Sequence, residues 1–158
     1  MMRDFLLELI AHMRWADALV ATALIDGAAS SGAAPPPEAM RLFAHVAAAE
    51  HLWYARLCAR PSEHAVWPSL TPEQSRDLAA ENATLYERLV ADHDDSELSR
   101  VVSYTNTAGR RFHNSVRDIV AHVSEHGSYH RGQIALRIRA GGGEPPYTDF
   151  IQFTRRGQ

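Results

Sequence analysis

Residues 118–134 read DIVAHVSEHGSYHRGQI. At about 100° per residue, Ile119, Val123, His126, His130 and Ile134 fall within a sector of about 60°, with Val116 and Gly127 alongside. The stretch therefore reads as an amphipathic helix whose buried seam carries two histidines. Residues i and i+4 on one helix face stand about 5–6 Å apart at Cβ, which lets both imidazoles reach one ion. Two neutral imidazoles stacked in a core need hydrogen-bond partners and crowd each other once protonated, and a shared metal satisfies both. The spacing thus points to a metal pair. The isolated His64, His93 and His113 read instead as surface or structural residues.

Working outward, Ser115 and Asp118 have capping-box spacing at the start of this helix, and the run Gly141 to Gly143 ends it. Between Ser99 and His113 the pattern changes: Val101, Val102, Tyr104 and Thr105 precede Asn106 to Gly109, which predicts a short hairpin. Upstream, Thr71 as N-cap, Pro72 at the first helical position and Gln74 three residues after the cap open a third helix running to about Ala91. A second helix is expected from Pro37 and Glu38 to about Arg60, before Pro61. A first runs from Met2 to about Asp26, with Phe5, Leu6, Leu9, Met13, Ala16, Val20 and Leu24 at three- and four-residue spacings. Gly27 is expected to end it, and AASSGAAPPP (28–37) to form a loop. The tail EPPYTDFIQF (144–153) should be tied on by its aromatics. Four helices of about 20 residues or more, with no repeat and no long strand, predict an all-α four-helix bundle with a short β-hairpin between helices three and four, as one domain over 1–158.

Composition narrows the function. Sixteen Lys and Arg against 19 Asp and Glu give a formal charge of -3, so there is no broad basic field for nucleic acid or an anionic membrane. The N-terminal stretch MMRDFLLELIAHM is broken by Arg3, Asp4 and Glu8, which offers neither a signal-peptide core nor a membrane span, and a cytoplasmic location is expected. Cys58 is the sole cysteine; it excludes an internal disulfide and is expected to be a buried, inert thiol.

Two ligands rarely suffice for a metal, and the second helix (RLFAHVAAAEHLWYARL, 41–57) offers His45, Glu50 and His51. Periodicity does not choose among them, because nearly the whole helix is apolar. His45 lies beside a stripe of Leu42, Val46, Ala49 and Trp53, and His51 on another with Met40, Ala44, Ala47 and Tyr54. His122 and His12 are further candidates.

These residues carry a resemblance. AHVAAAEHLWYARL followed by DIVAHVSEHGSYHRGQI resembles the DinB/YfiT-like superfamily of metal-dependent bacterial enzymes over almost the entire chain. The likeness includes the WAD step (Trp15, Ala16, Asp17), a histidine eight residues before a tryptophan in helix two, a YxNxxG hairpin (Tyr104, Asn106, Gly109) and the terminal HxxxHRGQ, the most specific of these motifs. The resemblance implies a metal triad of His45, His126 and His130, a bundle with a long crossover, and homodimers. It leaves His51 and His122 as second choices and gives Arg131 and Gln133 a bracing role.

Three neutral imidazoles leave an ion its full charge and open positions, the arrangement of a catalytic site. Zinc is the default divalent metal, with nickel, cobalt or copper accepted by the same ligands. The resemblance implies that the ion binds and deprotonates a low-molecular-weight thiol, which then attacks an electrophilic small-molecule substrate or drives an isomerisation. Arg110, Arg111, His113 and Tyr129 are candidate contacts for such molecules. A second reading makes bound water the nucleophile of a hydrolase, with Glu50 as base. A third is a non-catalytic metal- or oxygen-binding bundle, disfavoured because Glu50 is five residues after His45 and no Glu-x-x-His is present. A fourth is a stress-associated dimer whose site has lost activity.

Overall fold

The computed structural model describes residues 1–31 and 34–157. Among these it forms six helices and one two-stranded antiparallel sheet: α1 (Met2–Ser31), α2 (Pro37–Leu57), α3 (Pro72–Ala91), α4 (Asp95–Leu98), β1 (Val101–Thr105), β2 (Arg111–Ser115), α5 (Val116–Ala140) and α6 (Phe150–Thr154).

Local chemistry accounts for most of these boundaries. The Thr71 hydroxyl accepts from the Gln74 amide while the Gln74 side chain accepts from the Thr71 amide, closing the capping box that starts α3. Ser115 and Asp118 do the same for α5. Ser115 is also the last residue of β2, paired with Val101, and the Val116 amide bonds to the Arg100 carbonyl. The hairpin therefore runs straight into α5 and sets where its histidine face begins. In the turn, the Asn106 carboxamide accepts from the Ala108 and Arg110 amides, and Gly109 takes a φ of +77° that a side chain would resist.

Three boundaries differ from expectation. α1 continues through Gly27 to Ser31, because a glycine in a helix costs only about 1 kcal/mol and the small residues after it are compatible with the turn. Residues 32 and 33 of the expected loop lie outside the described residues. α2 stops at Leu57, with Cys58 as C-cap and Ala59 at a φ of +52°. Cys58 is accordingly exposed rather than buried, since it follows the last residue of the apolar stripe. Finally, α4 and α6 were not expected. α4 starts with its own capping box, Asp94 and Glu97. α6 has no side-chain cap, and its Phe150 and Phe153 pack against His12 on α1, with Phe5 touching Phe150 and Trp15 touching Phe153.

α1 packs on α3 and α5, and α2 packs on the same two helices, so that the four long helices surround one interior in the order α1, α3, α2, α5. α1 and α2 share few contacts although they are consecutive. One apolar cluster joins Leu6, Ile10 and Met13 to Tyr86, Val90, Ile119 and Val123; another joins Val20 and Leu24 to Leu42, Phe43, Ile134 and Ile138. Between them along α1 lies Asp17, and its neighbours are polar too. Each long helix contributes a buried polar side chain to this layer: Asp17 from α1, Glu50 from α2, Asn82 from α3 and Arg131 from α5. No described helix is long and apolar enough to cross a membrane.

Candidate metal centre

His126 and His130 on α5 are joined by His45 from α2, and the three offer ligand atoms that all lie within 4.8 Å of one another. Their ring centroids are 4.5 Å apart for His126 and His130, 4.8 Å for His45 and His130, and 5.2 Å for His45 and His126. This is the helix-to-helix convergence that could hold a metal ion.

Hydrogen bonds fix two of the rings. His45 Nδ1 bonds to the Val66 carbonyl at 2.7 Å, and His130 Nδ1 to the Gln133 carboxamide oxygen at 2.8 Å. Both partners are acceptors, so each Nδ1 carries the proton and donates it, leaving the Nε2 lone pair free. Such an arrangement orients a metal-binding imidazole and raises its basicity. His126 has no hydrogen-bond partner among the described residues. Burial, followed by the neighbouring His130, His45 and His122, pulls its pKa down to about 4. His45 is lowered as well, by burial first, with the Val66 carbonyl opposing. Near neutral pH both rings are therefore unprotonated, the form a metal requires.

The walls come from both helices and from the 58–71 connection. Trp67 stacks on His45 at 3.8 Å and 11°, with the Arg41 guanidinium 4.3 Å from the Trp67 ring centre. Tyr129, which is 67% exposed, stands 5.2 Å from His130 at the surface. His122 lies 5.7 Å from His126 and is packed edge-on to Trp53. Trp53 in turn meets Tyr104 of β1, whose hydroxyl donates to Asn114, so the hairpin is fastened to α2 beside the histidines.

Other expected residues lie elsewhere. Arg110 and Arg111 are exposed at the turn end of the hairpin, with Arg110 5.6 Å above the Phe112 ring. His113 bonds to the Ser103 hydroxyl, His93 to the Leu89 carbonyl, and His12 to the Thr148 carbonyl. His51 is buried with its ring 5.0 Å from His64. Glu50 is buried in the polar layer: Asn82 donates to it at 3.3 Å, and desolvation, reinforced by Asp17, raises its pKa well above the usual carboxylate range. Its side chain is tied to α3 through Asn82 and lies beside Asp17 of α1. Arg131, only 2% exposed, donates to Asp17 at 2.9 Å and to Ser128. Gly127 makes room for it, since a Cβ there would sit 2.7 Å from Arg131 Nη1. Of the four residues HRGQ, Arg131 faces the interior and Gln133 holds a histidine.

The sequence matches the family model described as DinB family over residues 2–157. The chain belongs to the DinB family. Comparison with curated proteins and with solved structures returns no match. In this DinB-family chain, Val66 and Trp67 are the site residues that sequence reasoning missed. Val66 acts through its backbone and leaves no side-chain signal, whereas a tryptophan in a polar, proline-flanked connection was a usable one.

Proposed function

We propose that this chain is a metal-dependent enzyme built on a four-helix bundle, in which His45, His126 and His130 hold one divalent ion, zinc or nickel, that activates a low-molecular-weight thiol for transfer to an electrophilic small molecule. The observation that carries the reading is the locking of His45 and His130 by acceptor partners, which leaves the Nε2 lone pairs of both rings free within a cluster of three imidazoles. When bound, the ion would lower the pKa of a coordinated thiol and keep positions open for it beyond the three protein ligands.

The chain's own residues prepare that chemistry. Burial keeps His126 deprotonated, so protons compete weakly for its lone pair. Trp67 covers one face of His45 and limits the swing of its ring. Tyr129 stands exposed beside His130, where an incoming molecule would meet it. The hydrolytic alternative relies on Glu50 as its base, and Glu50 is buried in the polar layer, hydrogen-bonded to Asn82. Thiol activation needs no such base, which favours it.

The test is elemental analysis of untagged protein purified without metal-affinity resin. Wild type should carry about one equivalent of zinc or a similar ion and the His45→Ala variant little, with the three-imidazole donor set expected for such a site. Equal or absent metal in both proteins would overturn the assignment.

A further inference from the structure

Arg56, near the C-terminal end of α2, differs from Arg41 on the same helix and from the buried Arg131. Arg41 is paired in bidentate fashion with Glu38, and Arg131 with Asp17. Among the described residues no carboxylate lies within salt-bridge distance of Arg56. Its guanidinium instead lies 4.4 Å from the centre of the Trp53 ring and 5.0 Å from that of Tyr104. It is partly buried, and desolvation lowers its pKa below the usual arginine value. A partly desolvated cation packed against two rings is held in place while its N–H donors are left for another partner.

The surface that holds it runs on to the histidines. Trp53 touches His122 at 4.9 Å, and His122 lies 5.7 Å from His126. The positive charge of Arg56 also acts on His122, second to burial in lowering its pKa. Arg56 and His45 are separated by eleven positions of α2, about 16 Å of helix rise, a span that the two side chains shorten. The wall between them is aromatic, made of Trp53, Tyr104 and His122.

We propose that Arg56 is an anion-recognition residue beside the triad: it takes a carboxylate or phosphate at one end of an extended substrate or cosubstrate whose other end reaches the three histidines. The inference rests on the reading of the triad as the reactive centre. Geometry supports it because the guanidinium presents a planar pair of donors that matches carboxylate and phosphate oxygens. Electrostatics supports it because no carboxylate of the described chain already neutralises the charge. The edge-to-face aromatic rings of Trp53, Tyr104 and His122 would line the uncharged middle of the molecule. A small neutral substrate would leave this arginine unused.

The experiment is an NMR titration of the metal-free protein, following the Arg56 Nε–Hε and Trp53 indole N–H signals as succinate, inorganic phosphate or the neutral succinamide is added. Saturable shifts at both positions with an anion and none with succinamide are expected. The apparent affinity should fall about tenfold or more in Arg56→Gln, a loss of about 1.4 kcal/mol, and stay unchanged in Arg76→Gln, which alters an exposed arginine of α3. Succinate acting more strongly than phosphate assigns a carboxylate, and the reverse assigns a phosphate. Arg56→Lys, which keeps the charge without the planar fork, should bind at an intermediate level. If Arg56→Gln does not fold, the wild-type shift at Arg56 itself decides. No saturable shift at Arg56 with either anion, or equal affinity in a folded Arg56→Gln, overturns the proposal. Because the titration uses metal-free protein, a silent Arg56 beside a normal metal content sinks this inference alone, and a responsive Arg56 in a protein that never takes up metal sinks the triad alone.

Discussion

His130 and Arg131 are consecutive on α5, yet a turn of about 100° sends them into two polar clusters of opposite character. Arg131 points inward to Asp17 in a layer that also holds Glu50 and Asn82, one side chain from each long helix. There the Arg131 guanidinium meets the Asp17 carboxylate, and desolvation raises the pKa of the Glu50 carboxyl beside them. His130 points to His45 and His126, where no acidic or basic partner neutralises anything and the lone pairs converge. The first cluster ties α5 to α1 and α3 to α2 by hydrogen bonds while leaving Asp17 Oδ2, Glu50 Oε1, Asn82 Oδ1 and Arg131 Nε without a partner, whereas the second brings three imidazoles together in an arrangement that could hold a metal ion.

The contrast breaks most sharply under deletion. Asp17→Ala leaves the Arg131 guanidinium buried without its partner, which should lower the unfolding free energy by about 3–5 kcal/mol in urea titrations. His126→Ala in metal-free protein removes a half-buried ring with no hydrogen bond and should cost about 1 kcal/mol or less. Equal losses in the two variants would erase the distinction between a structural layer and a ligand site.

A smaller effect separates holding a ligand from holding the fold. Gln133→Ala frees the His130 ring, so zinc affinity measured by competition with a chromophoric chelator should fall about 10–100-fold, with the metal-free urea midpoint close to wild type. Unchanged affinity would mean that the Gln133 contact does not orient a ligand.

A further effect is in pH. His126 has a folded pKa of about 4 against an ordinary 6.5, so the unfolded chain binds more protons between those values and stability should rise with pH across that window. The penalty is absent above pH 6.5 and complete below pH 4. Glu50, raised in the folded state, contributes with the opposite sign. The difference between wild type and His126→Ala cancels that contribution, and the variant should show a flatter thermal-melt profile from pH 6.5 to 4. An unchanged slope would refute the low proton affinity of this ring.

Much of the scaffold was legible because its signals are local. Thr71 with Gln74 and Ser115 with Asp118 name helix starts through bonds between residues three apart, and Asn106 with Gly109 names a turn for the same reason. The box at Asp94 and Glu97 obeyed the same rule and could have been read for α4. α6 could not, since its phenylalanines are held by His12 and Trp15 from the other end of the chain. The His126 and His130 pair was legible from i, i+4 geometry, and His45 entered only through family resemblance. α2 is buried without interruption from Leu42 to His51, and a helix packed on two neighbours shows no exposed face from which periodicity can pick a ligand.

The amino-acid sequence by itself determined the helical periods, the caps, the turn and the presence of an imidazole pair one turn apart, because each depends on residues within four positions of one another. Only the tertiary structure decided that His45 rather than His51 meets that pair, that Val66 and Gln133 set the ring tautomers, that Glu50 is a buried member of the Asp17–Arg131 layer, and that Arg56 is left without a carboxylate. Each of those outcomes depends on which side chains from distant segments share the same few ångströms, and on the desolvation that packing imposes on them.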